Sequence, residues 1–259
     1  NILSNLIVRF ISSIIILSLT ILAFVIGGHL VLIFCSLIIF LLFLEVNLVT
    51  LQFSKKFNIF IFPIFGSFTP FFAKEGILFL VVSLIILFID IIYENCKYLR
   101  MFVHSYVLIS LYFFLEFIYE ISDTLNLDKP LFLLSIVIAS DIGGYIVGKL
   151  IGNIKIAPNI SPNKTIEGTL GSILFTLIIW IIFFQGFASN FIIEIIYVVI
   201  ISLCAQLGDL LVSFGKRRLA IKESSYFIPG HGGVFDRMDS IIGGILGYSL
   251  ILYIDFGLN

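Results

Sequence analysis

The sequence predicts an all-α fold, a polytopic integral membrane bundle of about nine transmembrane helices at the usual ~20 residues each. Three observations predict it. First, 60% of the 259 residues are hydrophobic and only 12% are charged, against about 45–50% and about 25% in a soluble domain. That surplus of apolar surface has to face lipid, and the mean hydropathy of +1.20 agrees. Second, the apolar runs reach the ~20 residues that cross a lipid core about 30 Å thick. Third, the runs lack the period-2 alternation of a membrane barrel, and only helices and closed barrels satisfy their backbone polar groups in lipid.

The first expected helix covers 6–27. It resembles a leader peptide, but Gly27-Gly28-His29 leads straight into the next apolar run, so it reads as a transmembrane helix. Further spans are expected at 30–48, 57–73, 76–93, 101–119, 131–151, 168–187, 190–212 and 239–256. The segment 57–73 is short and carries Pro63, Gly66 and Pro70, as a re-entrant segment would. Charge argues for a full crossing. Lys and Arg concentrate on the cytoplasmic side of membrane helices. With that crossing and an inside N-terminus, Arg9, Lys55/Lys56, Lys97/Arg100, Lys149/Lys155/Lys164 and Lys216/Arg217/Arg218/Lys222 share one side. Residues 1–119 are read as N-terminal transmembrane helices and 120–259 as the catalytic region, in one continuous membrane domain.

The three cysteines, Cys35, Cys96 and Cys204, form no CxxC pair and read as small apolar packing residues. His29 and His104 stand alone, and Glu45 and Asp90 read as span ends or intramembrane pairs. Charge gathers elsewhere: nine charged residues fall between Asp209 and Asp239. In so apolar a chain, that density marks a water-filled site.

Four stretches carry the chemistry. Asp141 lies midway along an apolar run in Ala139-Ser140-Asp141-Ile142-Gly143-Gly144-Tyr145. A carboxylate there needs a partner or a polar cavity, and the small residues beside it permit close helix approach. The second stretch, Ala157 to Gly168, holds two prolines and offers Ser161, Asn163, Lys164 and Thr165 as phosphate donors. It serves equally as an ordinary connection, with Ser161 or Thr165 capping the next helix. In the third, Asp209, Ser213 and Lys216 or Arg217 recur at helical spacing on one face, joining a carboxylate to cations. The fourth is Ile228-Pro229-Gly230-His231-Gly232-Gly233-Val234-Phe235-Asp236-Arg237-Met238-Asp239. Its glycines let backbone amides approach an anion. Asp236 and Asp239, three apart at a helix start, suit Mg2+, which takes one or two carboxylates plus substrate phosphates. His231 is a phosphate donor, a base or a loop hydrogen-bonder.

Ser213 to Asp239 resembles the signature of bacterial phosphatidate cytidylyltransferases: Ser, two residues, Lys-Arg, four residues, Lys-Asp, then Pro-Gly-His-Gly-Gly and Asp-Arg-hydrophobic-Asp. The Asp141–Tyr145 and Ser161–Gly168 stretches resemble the family's other motifs, in order, so the likeness covers about residues 139–250. Glu223 departs from the usual Asp, and Gly215 from a usual apolar side chain. The resemblance implies transfer of the cytidylyl group of CTP to phosphatidic acid, giving CDP-diacylglycerol and pyrophosphate. It implies Mg2+ on Asp209, Asp236 and Asp239, with a second ion conceivable. Asp141, Lys216, Arg217 and Asp236 become the expected catalytic residues. Ser161, Asn163, Lys164, Ser213, Lys222, Gly230, His231, Gly232 and Gly233 become the expected substrate contacts. The site is expected near the cytoplasmic face of a bacterial-type inner membrane. Nucleic acid is no expected partner, and a homodimer is the general default for an oligomer. The competing readings are a CTP-dependent kinase of a membrane alcohol and an ion transporter.

Overall fold

The computed structural model describes residues 28–50, 128–183 and 191–258 apart from 226 and 229–231, with isolated positions at 15, 18, 19, 22, 26 and 64. The expected spans at 57–73, 76–93 and 101–119, and most of 6–27, lie outside the described residues. The chain divides into two compact units, Asn1–Leu127 with Arg218–Arg237, and Asp128–Arg217 with Met238–Asn259.

In the first unit, α1 spans Gly28–Thr50. Val31, Cys35, Ile39 and Leu42 are buried on it at helical spacing, and Phe43 and Glu45 are buried beside them. Leu30, Ile33, Leu37 and Leu48 are exposed, as an apolar helix in lipid allows.

The second unit holds α2 (Asp128–Ile151), β1 (Lys155–Ala157), β2 (Ser161–Thr165), α3 (Ile166–Phe183) and α4 (Phe191–Arg218). The helix α5, Phe235–Leu258, runs into it. The stretches Leu131–Ile151, Ile166–Phe183 and Phe191–Arg218 are each long and apolar enough to cross a membrane. Among the described residues the chain is helical with one small hairpin, and its long apolar helices make it an integral membrane protein. That hairpin, with a helix starting at Ile166, corrects the reading of Ala157 to Gly168 as a loop. β1 and β2 pair antiparallel, with Lys155 opposite Thr165 and Ala157 opposite Ser161. Pro162 has no N–H to give, and a two-stranded ribbon has edge positions that ask for none. The Glu167 carboxylate accepts from the amides of Asn153 (3.1 Å) and Ile154 (3.3 Å), fixing the entry to the hairpin. Thr165 then caps α3, its Oγ1 accepting from the Gly168 amide at 3.1 Å.

Small residues set the helix contacts. Along α2 and one residue past its end, Gly143, Gly144, Gly148 and Gly152 face Gly171, Ser172, Gly168 and Thr165 in turn. Ser172 Oγ donates to the Ser140 carbonyl at 2.7 Å, and the Ser140 and Ser202 hydroxyls meet at 3.0 Å. The α2 helix therefore lies between α3 and α4. At the far end of that pair, buried Trp180 donates its Nε1–H to Glu194 at 2.8 Å and stacks obliquely on Phe191. A Cβ added to Gly208 of α4 would stand 2.6 Å from the Asp239 carbonyl oxygen and 2.7 Å from the Gly243 Cα of α5. Gly244 abuts Val137 of α2, so α5 seats against both helices.

Gly208→Ala is expected to destabilise the protein by about 1–3 kcal/mol, because rigid backbone must move. Gly148→Ala meets only a side-chain oxygen at 3.2 Å and a Cα at 3.5 Å, so its loss should be smaller. Thermal melting of both variants in detergent checks the ordering, and equal melting temperatures would contradict it.

Candidate active site

In the second unit, the hairpin and α4 bring together residues that the sequence keeps far apart. Lys164 projects from β2, and its Nζ lies 2.6 Å from Asp209 Oδ2. The same ammonium donates to the Gln206 carbonyl at 3.1 Å, one turn earlier on α4. Ser213, one turn later, donates its hydroxyl to Asp209 Oδ1 at 3.2 Å. Both oxygens of Asp209 are thus engaged, and the pair is only about a quarter exposed (22% and 27%). An ion pair so placed is screened less than a surface one.

Two further carboxylates belong to this neighbourhood. Asp141, exposed on α2, accepts from Ser240 Oγ of α5 at 3.1 Å. Asp239 accepts from the Ser240 amide at 2.9 Å. Asp239 feels the fields of Asp209, Asp141 and Lys216, and Asp141 feels those of Asp209 and Lys164. The close α4–α5 crossing at Gly208 is what brings Asp209 to Asp239. Arg217, exposed at the end of α4, donates Nε–H to the Ile160 carbonyl in the hairpin turn at 3.2 Å. Ser161 and Asn163 lie on β2, with Asn163 exposed.

In the first unit the glycine-rich loop is organised by carboxylates. Gly232 has φ +85°, in the left-handed region that favours glycine. Its carbonyl accepts from the Ile228 amide at 2.9 Å. Asp236 Oδ2 accepts from the amides of Ser224 (2.9 Å) and Gly233 (3.1 Å). The Gly233 amide that sequence reasoning offers to a substrate is thereby directed to Asp236. Lys222 is exposed, and so is Glu223. Gly230 and His231 lie outside the described residues.

Sequence reasoning reads Glu45 as a span end or a member of an intramembrane pair and gives it no further role. It is fully buried (0% exposed) in α1, and it accepts four hydrogen bonds, from the Ser224 and Ser225 hydroxyls and the Val234 and Phe235 amides. The available signal was an acidic residue inside an apolar helix, which is by default a functional candidate. Its partners lie 179 to 190 residues away, and no local pattern names them.

Removing either member of the Lys164–Asp209 pair should destabilise the protein. The double variant Lys164→Met/Asp209→Asn should lose less than the sum, with a coupling of roughly 0.5–3 kcal/mol as for residues in direct contact. A double-mutant cycle on unfolding in detergent measures it, and additive losses would contradict the pairing.

Comparison with known proteins bears on the family of the chain. A family model described as "Cytidylyltransferase family" matches residues 7–254. A phosphatidate cytidylyltransferase of Helicobacter pylori is 32% identical over 123 residues, which cover 48% of this chain and 46% of that protein. One of Rickettsia conorii is 56% identical over 54 residues, 21% of this chain and 24% of the relative. One of Staphylococcus haemolyticus is 31% identical over 105 residues, 40% of each. The matched stretches span about half or less of these relatives. The family model, in contrast, runs almost from end to end, and on that match the chain belongs to the cytidylyltransferase family.

Proposed function

We propose that the protein transfers the cytidylyl group of CTP to phosphatidate. A phosphate oxygen of the lipid attacks the α-phosphorus of CTP, the α–β phosphoanhydride bond breaks, and pyrophosphate leaves with the bonding electrons. The nucleophile is already anionic, so the reaction asks little of a general base. It asks instead for two anions to be brought together and for the charge on the leaving group to be stabilised. The observation that carries this reading is the Lys164–Asp209 ion pair, which the close α4–α5 crossing at Gly208 sets beside Asp239.

Lys164 and Lys216 are assigned to phosphate oxygens, with Arg217 as a further cation. Asp141 is assigned to the polar wall of the site through its bond to Ser240. The donor set suits Mg2+: the acidic groups supply hard oxygen ligands, and Asp209 and Asp239 stand in one another's field. Among the described residues no three His, Cys, Asp or Glu side chains form a ready-made cage. Mg2+ needs none, because substrate phosphates complete its shell. Asp209 and Asp239 are the carboxylates that would hold the ion, and the ion would neutralise charge on the departing pyrophosphate. Asp236 is given to the glycine loop that it already binds. The reading places the reaction at the cytoplasmic face of a bacterial-type inner membrane, where cytosolic CTP meets a lipid phosphate and where the basic residues gather.

Purified protein in detergent with phosphatidate, Mg2+ and CTP labelled at the α- or γ-phosphate should pass the α-label to lipid and release the γ-label as pyrophosphate. Asp209→Asn should lower this turnover by more than about 100-fold, since a ligand is worth at least what its supporting shell is worth. Passage of the γ-label to a lipid alcohol would replace this reading with the kinase one.

A further inference from the structure

We infer that Glu45 is a positioning residue for the glycine-rich loop, holding both of its stems from α1 so that the loop meets the anionic substrates in one shape. This rests on the cytidylyl-transfer reading for its functional half and on the hydrogen bonds alone for its structural half.

Each carboxylate oxygen takes one bond from each stem. Oε1 accepts from Ser225 Oγ at 2.6 Å and from the Val234 amide at 2.7 Å. Oε2 accepts from Ser224 Oγ at 3.0 Å and from the Phe235 amide at 2.8 Å. The Val234 and Phe235 amides begin α5, where helical N–H groups have no partner in their own helix and the backbone dipoles favour an anion. Helices usually solve this locally with Ser, Thr, Asp or Asn at the cap. Here Val234 precedes the helix and has no side-chain acceptor, so the acceptor comes from α1.

Stability alone is a poor reason for such a residue. A carboxylate buried in an apolar helix is unfavourable unless fully partnered, and apolar replacements of buried polar groups are often as stable. Four bonds aimed at two stems of one loop define a shape. Gly233 carries the imprint of that shape. A Cβ there would collide with Ser224 Oγ and stand 2.5 Å from Glu45 Oε2. The second glycine of the Gly232-Gly233 pair is therefore required by the protein's own carboxylate.

The test compares Glu45→Gln with Glu194→Gln in the full chain in detergent. Glu194 is also buried and accepts a bond, from Trp180, that a glutamine oxygen can keep. Backbone hydrogen exchange over residues 224–235 should accelerate in Glu45→Gln and stay at wild-type rates in Glu194→Gln. Turnover per folded molecule should fall about 100-fold in Glu45→Gln, the usual effect of misplacing reacting groups by an ångström, and hold in Glu194→Gln. Glu45→Asp, which keeps the charge on a shorter stem, should lie between Glu45→Gln and wild type. Unchanged exchange in Glu45→Gln overturns the inference. A lowered melting temperature with wild-type turnover also overturns it, because Glu45 is then structural only. If the wild-type protein itself fails to turn over CTP with phosphatidate, the transfer reading fails, and the exchange arm decides the grip of Glu45 independently.

Discussion

Two helices approach no closer than their Cβ atoms allow, and the acidic cluster depends on a crossing where that limit is lifted. At Gly208 and Gly243 the backbones of α4 and α5 touch directly. Asp209 follows Gly208 in α4, and Asp239 of α5 supplies the carbonyl that meets that same glycine, so close approach of backbone becomes close approach of carboxylates. Larger residues would hold the same acids apart. The same device acts along α2, where glycines spaced by four bring α3 close beside Asp141.

The second organising constraint is that a charge in an apolar chain must be answered. The second unit answers with an ammonium and a hydroxyl on Asp209. The first unit answers with hydroxyls and backbone amides on Glu45 and Asp236. The two solutions suit different tasks. A lysine side chain on a carboxylate is a counter-charge on a flexible stem. A carboxylate that holds backbone amides fixes the chain it binds.

The long elements were legible in the sequence because they follow from one-dimensional hydrophobicity. The expected spans at 30–48, 131–151, 168–187, 190–212 and 239–256 correspond to α1 through α5. Their ends were less legible. α4 continues from the expected 212 through Lys216-Arg217-Arg218 to Arg218, since basic residues of good helical propensity extend a helix past the apolar layer. The hairpin was hidden because Pro158 and Pro162 read as breakers, and pairing between short strands leaves little trace in composition. Among the motif residues, the spacing of Asp209 and Ser213 foretold their bond on one helix face. The partnership of Lys164 with Asp209 spans two motifs, and no spacing rule connects them.

The grip of Glu45 also has a consequence for biogenesis. α1 leaves the ribosome well before its four donors, which are encoded 179 to 190 residues later. At about 5–20 residues per second, the nascent chain carries that acidic side chain into the insertion machinery with its permanent partners still unsynthesised. Until they arrive, water or a chaperoning groove must solvate it. The final seating of α1 thus waits for that later segment to be translated, and a product truncated between the two would expose the mismatch to membrane proteases.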